Sequence, residues 1–138
     1  MGQIANKPMS IFDISGRAMA AQLVRLNTTA SNLANAGSVA GSEAQAFRSL
    51  KPVFRAVTGA DGQATVVVDR ITQSTTSPTK RHDPNHPLAD ANGDVWEAAV
   101  DSASELVEMI ETSRQYQNNV QVLQTAKSLT LDTLRIGQ

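Results

Sequence analysis

Two long segments, one near each end of the chain, carry apolar or small residues at heptad spacing. In the first, the repeating positions are Phe12, Met19, Leu26 and Leu33, with Gly16, Leu23 and Ala30 between them at four- and three-residue steps. This alternation predicts a helix with a coiled-coil seam. Ser10 can cap the helix and Gly37 can end it, so we expect it to occupy residues 10–37.

The second segment has a longer heptad pattern, near the C-terminal end. One row contains Ala99, Leu106, Ser113, Val120, Lys127 and Leu134, and the other contains Met109, Tyr116, Leu123 and Thr130. Acidic residues crowd the first half of the segment, whereas Lys127 and Arg135 lie near its end, as the helix macrodipole favours. We therefore expect residues 95–138 to form a C-terminal helix far longer than the average helix.

The central segment, residues 38–94, holds most of the Gly and Pro. Residues 53–57 and 64–68 are short runs rich in β-branched residues, and the Asp61-Gly62 pair between them predicts a β-hairpin. The prolines that follow predict a turning loop. The expected fold is mainly α with a small β insert: long N- and C-terminal helices form an antiparallel coiled-coil hairpin, a short β-hairpin and loop lie between them, and residues 1–9 are an N-terminal extension.

The two helices look poorly suited to pairing only with each other. Four seam positions hold residues that a stable pair disfavours, namely Gly16, Ser113, Lys127 and Thr130. The C-terminal helix also has apolar residues on other faces, including Val107, Ile110, Val122, Leu129 and Leu131. A helix that is apolar around much of its circumference requires several neighbours. In a chain of 138 residues, these neighbours are other copies or other proteins. The alternative is a helical hairpin with a loose surface.

The composition excludes several classes of function. The net charge is −1, so no overall field attracts the chain to nucleic acid or to anionic lipid. Cysteine is absent, no apolar run is long enough for a membrane span, and residues 1–8 do not have the pattern of a cleaved signal peptide. If the chain leaves the cytoplasm, we expect another export route.

Candidate groups for chemistry are confined to the central loop. His82 and His86 are four residues apart, but nearby prolines disfavour a helix and no third strong ligand is evident, which argues against a zinc site. Asp83, Asp90 and Asp94 could suggest a carboxylate pair, yet Asp in a turn-rich loop commonly bonds to the backbone. We therefore predict no catalytic, metal or cofactor site.

Three blocks of the sequence resemble the axial rod and hook proteins of the bacterial flagellum. The N-terminal block consists of FDISG at residues 12–16 and LNTTASNLANA at residues 26–36. The loop HPLADANG at residues 86–93 and the run SRQYQNNV at residues 113–120 are similar to those of the proximal rod proteins within this family. One departure is that Asp94 follows the loop glycine, where the family usually has an aromatic residue and then a Pro-Asn-Val segment.

The resemblance implies a structural subunit that the flagellar type III apparatus exports uncleaved. Such subunits polymerise beneath the hook into the rod of the basal body, which carries motor torque across the periplasm. The implied partners are copies of the chain, other proximal and distal rod proteins, the rod-base adaptor and the export apparatus, without nucleic acid and without direct membrane insertion. The alternatives are another rod subunit or, in a different class, a soluble helical export chaperone or adaptor.

We expect an assembly interface on both helices, in which asparagines set the register between subunits. Its predicted members are Phe12, Met19, Leu23, Leu26, Ala30, Asn32, Leu33, Asn35, Leu106, Met109, Ile110, Tyr116, Val120, Leu123 and Leu134.

Overall fold

The structure is a computed structural model and describes residues 9–138. Most of the predicted N-terminal extension therefore lies outside the described residues. Along the described chain the elements are α1 (Ile11–Asn35), β1 (Val39–Ala40), β2 (Leu50–Thr58), β3 (Ala64–Gln73), β4 (Thr79–His82), β5 (Asp94–Glu97) and α2 (Ser102–Ile136).

Helix α1 begins where the capping signal predicts. The Ser10 hydroxyl accepts a hydrogen bond from the Asp13 N–H at 3.1 Å, and the Asp13 carboxylate accepts one from the Ser10 N–H at 3.0 Å. This capping box satisfies two of the donors that a helix N-terminus leaves free. The helix ends at Asn35, just before Gly37.

Strands β2 and β3 form the predicted hairpin, which is longer than the two runs in the sequence indicate. The strands pair antiparallel from Leu50 opposite Gln73 to Thr58 opposite Ala64, with a register shift at Val53/Phe54. Gly62 in the turn has φ +82°, a left-handed conformation that favours glycine.

The other strands form a three-stranded antiparallel sheet in the order β1-β5-β4. Its central strand holds Val95, which is fully buried. Gly93 before this strand has φ +76°, and a Cβ there would lie 3.1 Å from both the His82 ring and Pro84. Only glycine fits this junction without strain.

The prediction of a mainly α fold with a small β insert is wrong. About 46% of the structure is helix and 24% is strand, arranged in two antiparallel sheets. The C-terminal helix begins at Ser102, because residues 94–97 pair with β4 on one side and with β1 on the other. This pairing overrides the heptad pattern, which continues back to Ala99.

The two helices run antiparallel. Gln22 of α1 donates a hydrogen bond to Gln115 of α2 at 2.8 Å, and Arg25 lies 3.4 Å from Glu108. Helix α1 also packs against β2 and β3. In the described residues, neither helix combines the length and the apolar character that a bilayer span requires.

The interior is thin for a chain of this size. The apolar side chains that are buried in the described residues are Ala21, Ala46, Val95 and Ala126. The accessible surface is 9373 Å². A compact monomer of 14.7 kDa would have about 6,900 Å². The chain therefore exposes about 2,400 Å² more than a compact monomer does.

Candidate assembly surface

The fully buried residues of α1 and α2 are mainly small or polar. On α1 the buried residues are Ser15, Ala21, Thr28, Thr29 and Asn32, and on α2 they are Thr112 and Ala126. The Thr112 hydroxyl and the Gln22 carbonyl oxygen are buried without a hydrogen-bond partner in the described residues. Small side chains bury little apolar area, and unpaired polar atoms cost free energy, so these fully buried residues stabilise the helix pair only weakly.

The heptad pattern predicted on α1 is exposed only in part. We call these seven residues the α1 row: Phe12, Gly16, Met19, Leu23, Leu26, Ala30 and Leu33. Phe12 and Leu23 are 42% and 43% exposed. Leu23 and Ala30 lie roughly 140–160° around the helix from Arg25, which points towards α2. Met19, Leu26 and Leu33 are half-buried, so the predicted seam of α1 is an outer surface only in part.

The predicted rows on α2 extend from the buried face of this helix to its exposed side. We call them together the α2 row: Leu106, Met109, Ser113, Tyr116, Val120, Leu123, Lys127, Thr130 and Leu134. Leu106 and Val120 lie roughly 80–120° around the helix from the buried Thr112, whereas Tyr116, Leu123 and Thr130 lie within roughly 40° of it. Leu106 and Leu134 are 51% and 62% exposed, whereas Met109, Tyr116, Val120 and Leu123 are half-buried.

Further apolar residues of α2 are exposed outside both predicted rows. They are Val107, Ile110, Val122, Leu129, Leu131 and Ile136. Ile11 joins Val122 and Leu129 in the lining of an open groove of about 650 Å³ between the start of α1 and the second half of α2. Contiguous exposed apolar surface of this kind marks a site of protein–protein contact.

The predicted asparagines have partners within the chain. The Asn32 amide donates to the Leu50 carbonyl at 3.0 Å and accepts from the Leu50 N–H at 2.7 Å. Asn32 is 2% exposed, so this pair of bonds holds β2 against α1 away from water. Asn35 donates to the Ser31 carbonyl of its own helix at 2.8 Å.

Arg25 connects three elements, and the sequence did not single it out. Its guanidinium lies 3.4 Å from the Glu108 carboxylate of α2 and 4.9 Å from the centre of the Phe54 ring on β2. Sequence reasoning also missed Gln22, Gln115 and Thr112 in the helix contact. The available signal was a second heptad series of small and polar residues, such as Ala18, Arg25 and Asn32, which is much weaker than an apolar row.

The loop residues considered for chemistry bond to one another and to the backbone. Asp94 accepts from the His82 ring at 2.9 Å and lies 3.2 Å from the Lys80 ammonium group. Asp90 accepts from the N–H of Asp94 at 2.9 Å. The His86 ring accepts from the Leu88 N–H at 3.0 Å, so the two histidines serve different parts of the loop. In the part of the chain that the structure describes, no three potential ligands gather around a common point.

The Asp94 contacts predict a pH dependence of stability. The hydrogen bond from His82 lowers the pKa of Asp94 below the ordinary 3.8, burial opposes this shift, and Lys80 adds to it. A carboxyl group with a lowered pKa in the folded state stabilises the fold above its unfolded pKa, and the contribution is lost as the pH falls through the folded pKa. We expect the free energy of unfolding in urea to fall more steeply below about pH 5 for the native chain than for Asp94→Asn.

The matched control for this experiment is Asp132→Asn, on the exposed final turns of α2. It should keep the pH dependence of the native chain. Parallel curves for the native chain and Asp94→Asn would mean that the contacts of Asp94 do not stabilise the folded state.

The chain matches known flagellar proteins along most of its length. A family model described as the flagella basal body rod protein matches residues 12–41, and one described as the flagellar basal body rod FlgEFG protein C-terminal matches residues 91–136. The flagellar basal-body rod protein FlgC of Salmonella typhimurium is 48% identical over 132 residues, which cover 94% of this chain and 98% of that protein. FlgC of Yersinia enterocolitica is 47% identical and FlgC of Escherichia coli O6:H1 is 46% identical, with the same coverage.

These matches confirm the resemblance that the sequence blocks indicated. The matched relatives are structural rod proteins, and their length agrees with that of this chain. The chain therefore belongs to the FlgC family of flagellar basal-body rod proteins, and it is a structural subunit of the proximal rod, which assembles with other rod proteins in the basal body and is not an enzyme.

Proposed function

We propose that the chain is exported by the flagellar type III apparatus, spans part of the periplasm within the rod, and transmits motor torque there. The observation that carries this proposal is the apolar outer surface of both helices together with the small interior. A chain that exposes about 2,400 Å² more than a compact monomer gains stability when neighbours cover that surface. A rod of close-packed subunits supplies such neighbours.

Export through a narrow channel requires a chain that unfolds at low cost. The two helices fully bury Ala21 and Ala126 rather than large apolar side chains, and the buried Thr112 hydroxyl has no hydrogen-bond partner among the described residues. Such a contact is easily opened. Segments that order on assembly gain their packing from the partner. A weak contact between the helices thus suits both export of the unfolded chain and ordering of the chain in the assembled rod.

Torque transmission requires that the helices and the sheets move together. Asn32 fixes β2 to α1 through two hydrogen bonds, and Arg25 joins α1 to α2 and to Phe54. A load on the helical part of the subunit therefore acts directly on the β-hairpin. The proposed function of Asn32 and Asn35 is to shape the subunit, because their amides already have partners inside it.

The proposed assembly interface comprises the exposed and half-buried apolar members of the predicted set. On α1 these are Phe12, Met19, Leu23, Leu26, Ala30 and Leu33, and on α2 they are Leu106, Met109, Ile110, Tyr116, Val120, Leu123 and Leu134. When neighbours cover these residues, the apolar area removed from water stabilises the assembly by about 25 cal/mol per Å².

The decisive experiment is electron microscopy of cell envelopes from a strain that lacks the gene, beside the complemented strain. We expect basal bodies arrested before a complete rod, without hook or filament. In the complemented strain, disabling the export ATPase should leave the chain in the cytoplasm. Complete rods and hooks in the deletion strain would contradict the proposal and favour an export chaperone or adaptor.

A further inference from the structure

We infer that residues 1–8 of the chain pack along the last turns of its own helix α2 before the chain assembles. Helices α1 and α2 are antiparallel, and Ile11 at the start of α1 lines the same groove as Ala126 of α2. Helix α2 continues past this level through residues 127–136, which we call the α2 overhang. At 1.5 Å per residue, the α2 overhang extends about 15 Å beyond the start of α1.

The α2 overhang is an exposed part of the helix with large apolar side chains. Every residue from 127 to 138 is exposed. Leu129 is 63% exposed, Leu134 is 62% exposed and Ile136 is 87% exposed. A segment that covers such side chains removes apolar area from water and stabilises the folded chain.

One face of the α2 overhang continues the groove beside Ile11. Leu129 lines this groove. Thr133 and Ile136 lie within roughly 40° of Leu129 around the helix, so the three residues form one stripe that runs from the groove to the end of α2. The charged residues of the α2 overhang lie roughly 60° or more from Leu129, and they are Lys127, Asp132 and Arg135. The stripe therefore suits an uncharged, partly apolar segment.

The chain enters α1 at the end of the groove from which this stripe departs. Met9 packs against the turn of the β2–β3 hairpin, because a Cβ placed on Gly59 would lie 2.9 Å from the Met9 side chain. Ser10 then caps the helix and Ile11 begins it. Residues 1–8 thus start beside the groove, and eight extended residues reach up to about 26 Å, which exceeds the length of the α2 overhang.

The composition of residues 1–8 matches the stripe. Met1 and Ile4 are apolar, and Lys7 is the one charged side chain in this segment. Pro8 lacks a backbone N–H and biases Lys7 towards extended backbone, so the sequence opposes a backward continuation of α1. An extended segment that leaves α1 can instead follow the neighbouring helix.

The segment is also held close to its site. A covalent link of a few residues gives an effective concentration in the millimolar range, which a second copy in dilute solution does not reach. Residues 1–8 therefore cover Leu129 and Ile136 while the chain has no neighbour. A protein that binds this end of α2 must first displace them, so association through the α2 overhang is weakened in the free chain.

Cysteine pairs in the purified full chain test the contact, since the chain contains no native cysteine. The test pair is Ile4→Cys with Thr133→Cys, which lies on the stripe. The matched control is Ile4→Cys with Lys127→Cys, which lies in the α2 overhang but roughly 160° around the helix from Leu129. Because a disulfide requires Cα atoms within about 7 Å, we expect the test pair to close within one chain at least about tenfold faster than the control pair. Non-reducing gels measure both rates.

Three outcomes would overturn the inference. Equal rates for the two pairs would mean that residues 1–8 sample the α2 overhang without docking on the stripe. Disulfide-linked dimers as the main product would assign the stripe to a second copy. Faster closure of Ile4→Cys with Ala60→Cys than of the test pair would place the segment on the hairpin turn beside Met9.

Hydrogen exchange tests the same contact without cysteines, and it decides the matter where a cysteine variant fails to fold. Ile4→Asp should raise the exchange rates of the amides in residues 129–136 several-fold, because it removes the cover from these last turns. Gln3→Asp is the matched control, since it adds the same charge at the neighbouring polar position, and it should keep the native rates. Native rates in Ile4→Asp would contradict the contact. Failure of the contact leaves the proposed function intact, because complete rods in the deletion strain are what would contradict that function.

Discussion

Replacement of Leu123 by aspartate is expected to abolish motility and incorporation into the rod while the cells still synthesise the chain. Leu123 is half-buried, belongs to the α2 row, and lies one turn before the buried Ala126. It therefore borders both the contact with α1 and the surface proposed for a neighbour. A carboxylate at a site that becomes covered loses hydration without gaining a partner, and this costs several kcal/mol per subunit. Because the contact between α1 and α2 is already weak, little stability remains to offset the loss.

The measurements are swimming in soft agar and immunoblots of whole cells and of purified basal bodies. Gln124→Asp is the matched control, because it adds the same charge to the same turn at an exposed polar position. We expect cells that carry Gln124→Asp to swim and the variant chain to enter the rod. Normal incorporation of Leu123→Asp would show that this part of α2 stays in contact with water in the assembled rod.

The elements that sequence predicts well are those with a local physical cause. The start of α1 follows from the reciprocal bonds of Ser10 and Asp13, and the hairpin follows from the turn that contains Asp61 and Gly62. Both features are decided within a few residues. Neither depends on what the rest of the chain does.

The three-stranded sheet depends on distant segments, and the sequence gives little sign of it. Strand β4 consists of Thr79–His82, with every side chain exposed, so it has no apolar alternation to detect. Strand β5 becomes a strand because β1 and β4 pair with its two edges. Its residues stand directly before a long helical pattern, which explains why the helix was predicted to begin too early.

The candidate surface illustrates a different limit. Heptad spacing identifies residues that share a helix face, but it does not identify what that face contacts. The regular apolar rows suggested contact between the two helices of one chain. The fully buried residues of the helices instead include Ala21, Thr28 and Thr112, whose polar or small side chains give no clear periodic signal. Of the apolar rows, Phe12, Leu23 and Leu106 remain largely exposed.

Asn32→Ala is expected to lower the free energy of unfolding by roughly 2–5 kcal/mol, because each buried polar group left unpaired costs about 1–3 kcal/mol. The substitution removes both hydrogen bonds to Leu50 at a position that is 2% exposed. Loss of the Asn32 amide leaves the Leu50 N–H and carbonyl without those partners at the junction of α1 and β2. Alanine favours the helix by a few tenths of a kcal/mol, which does not compensate. Urea unfolding of the purified chain, followed by circular dichroism, measures the difference.

Asn27→Ala is the matched control, since it makes the same substitution in the same helix at an exposed position with no side-chain hydrogen bond to the described residues. It should leave the stability unchanged or raise it by a few tenths of a kcal/mol. The difference in stability between the two variants separates the effect of the hydrogen bonds to Leu50 from the effect of the helix propensity of asparagine. If both variants unfold at the same urea concentration, Asn32 does not hold the hairpin. The coupling between helices and sheets would then depend on Arg25 and its contacts with Glu108 and Phe54.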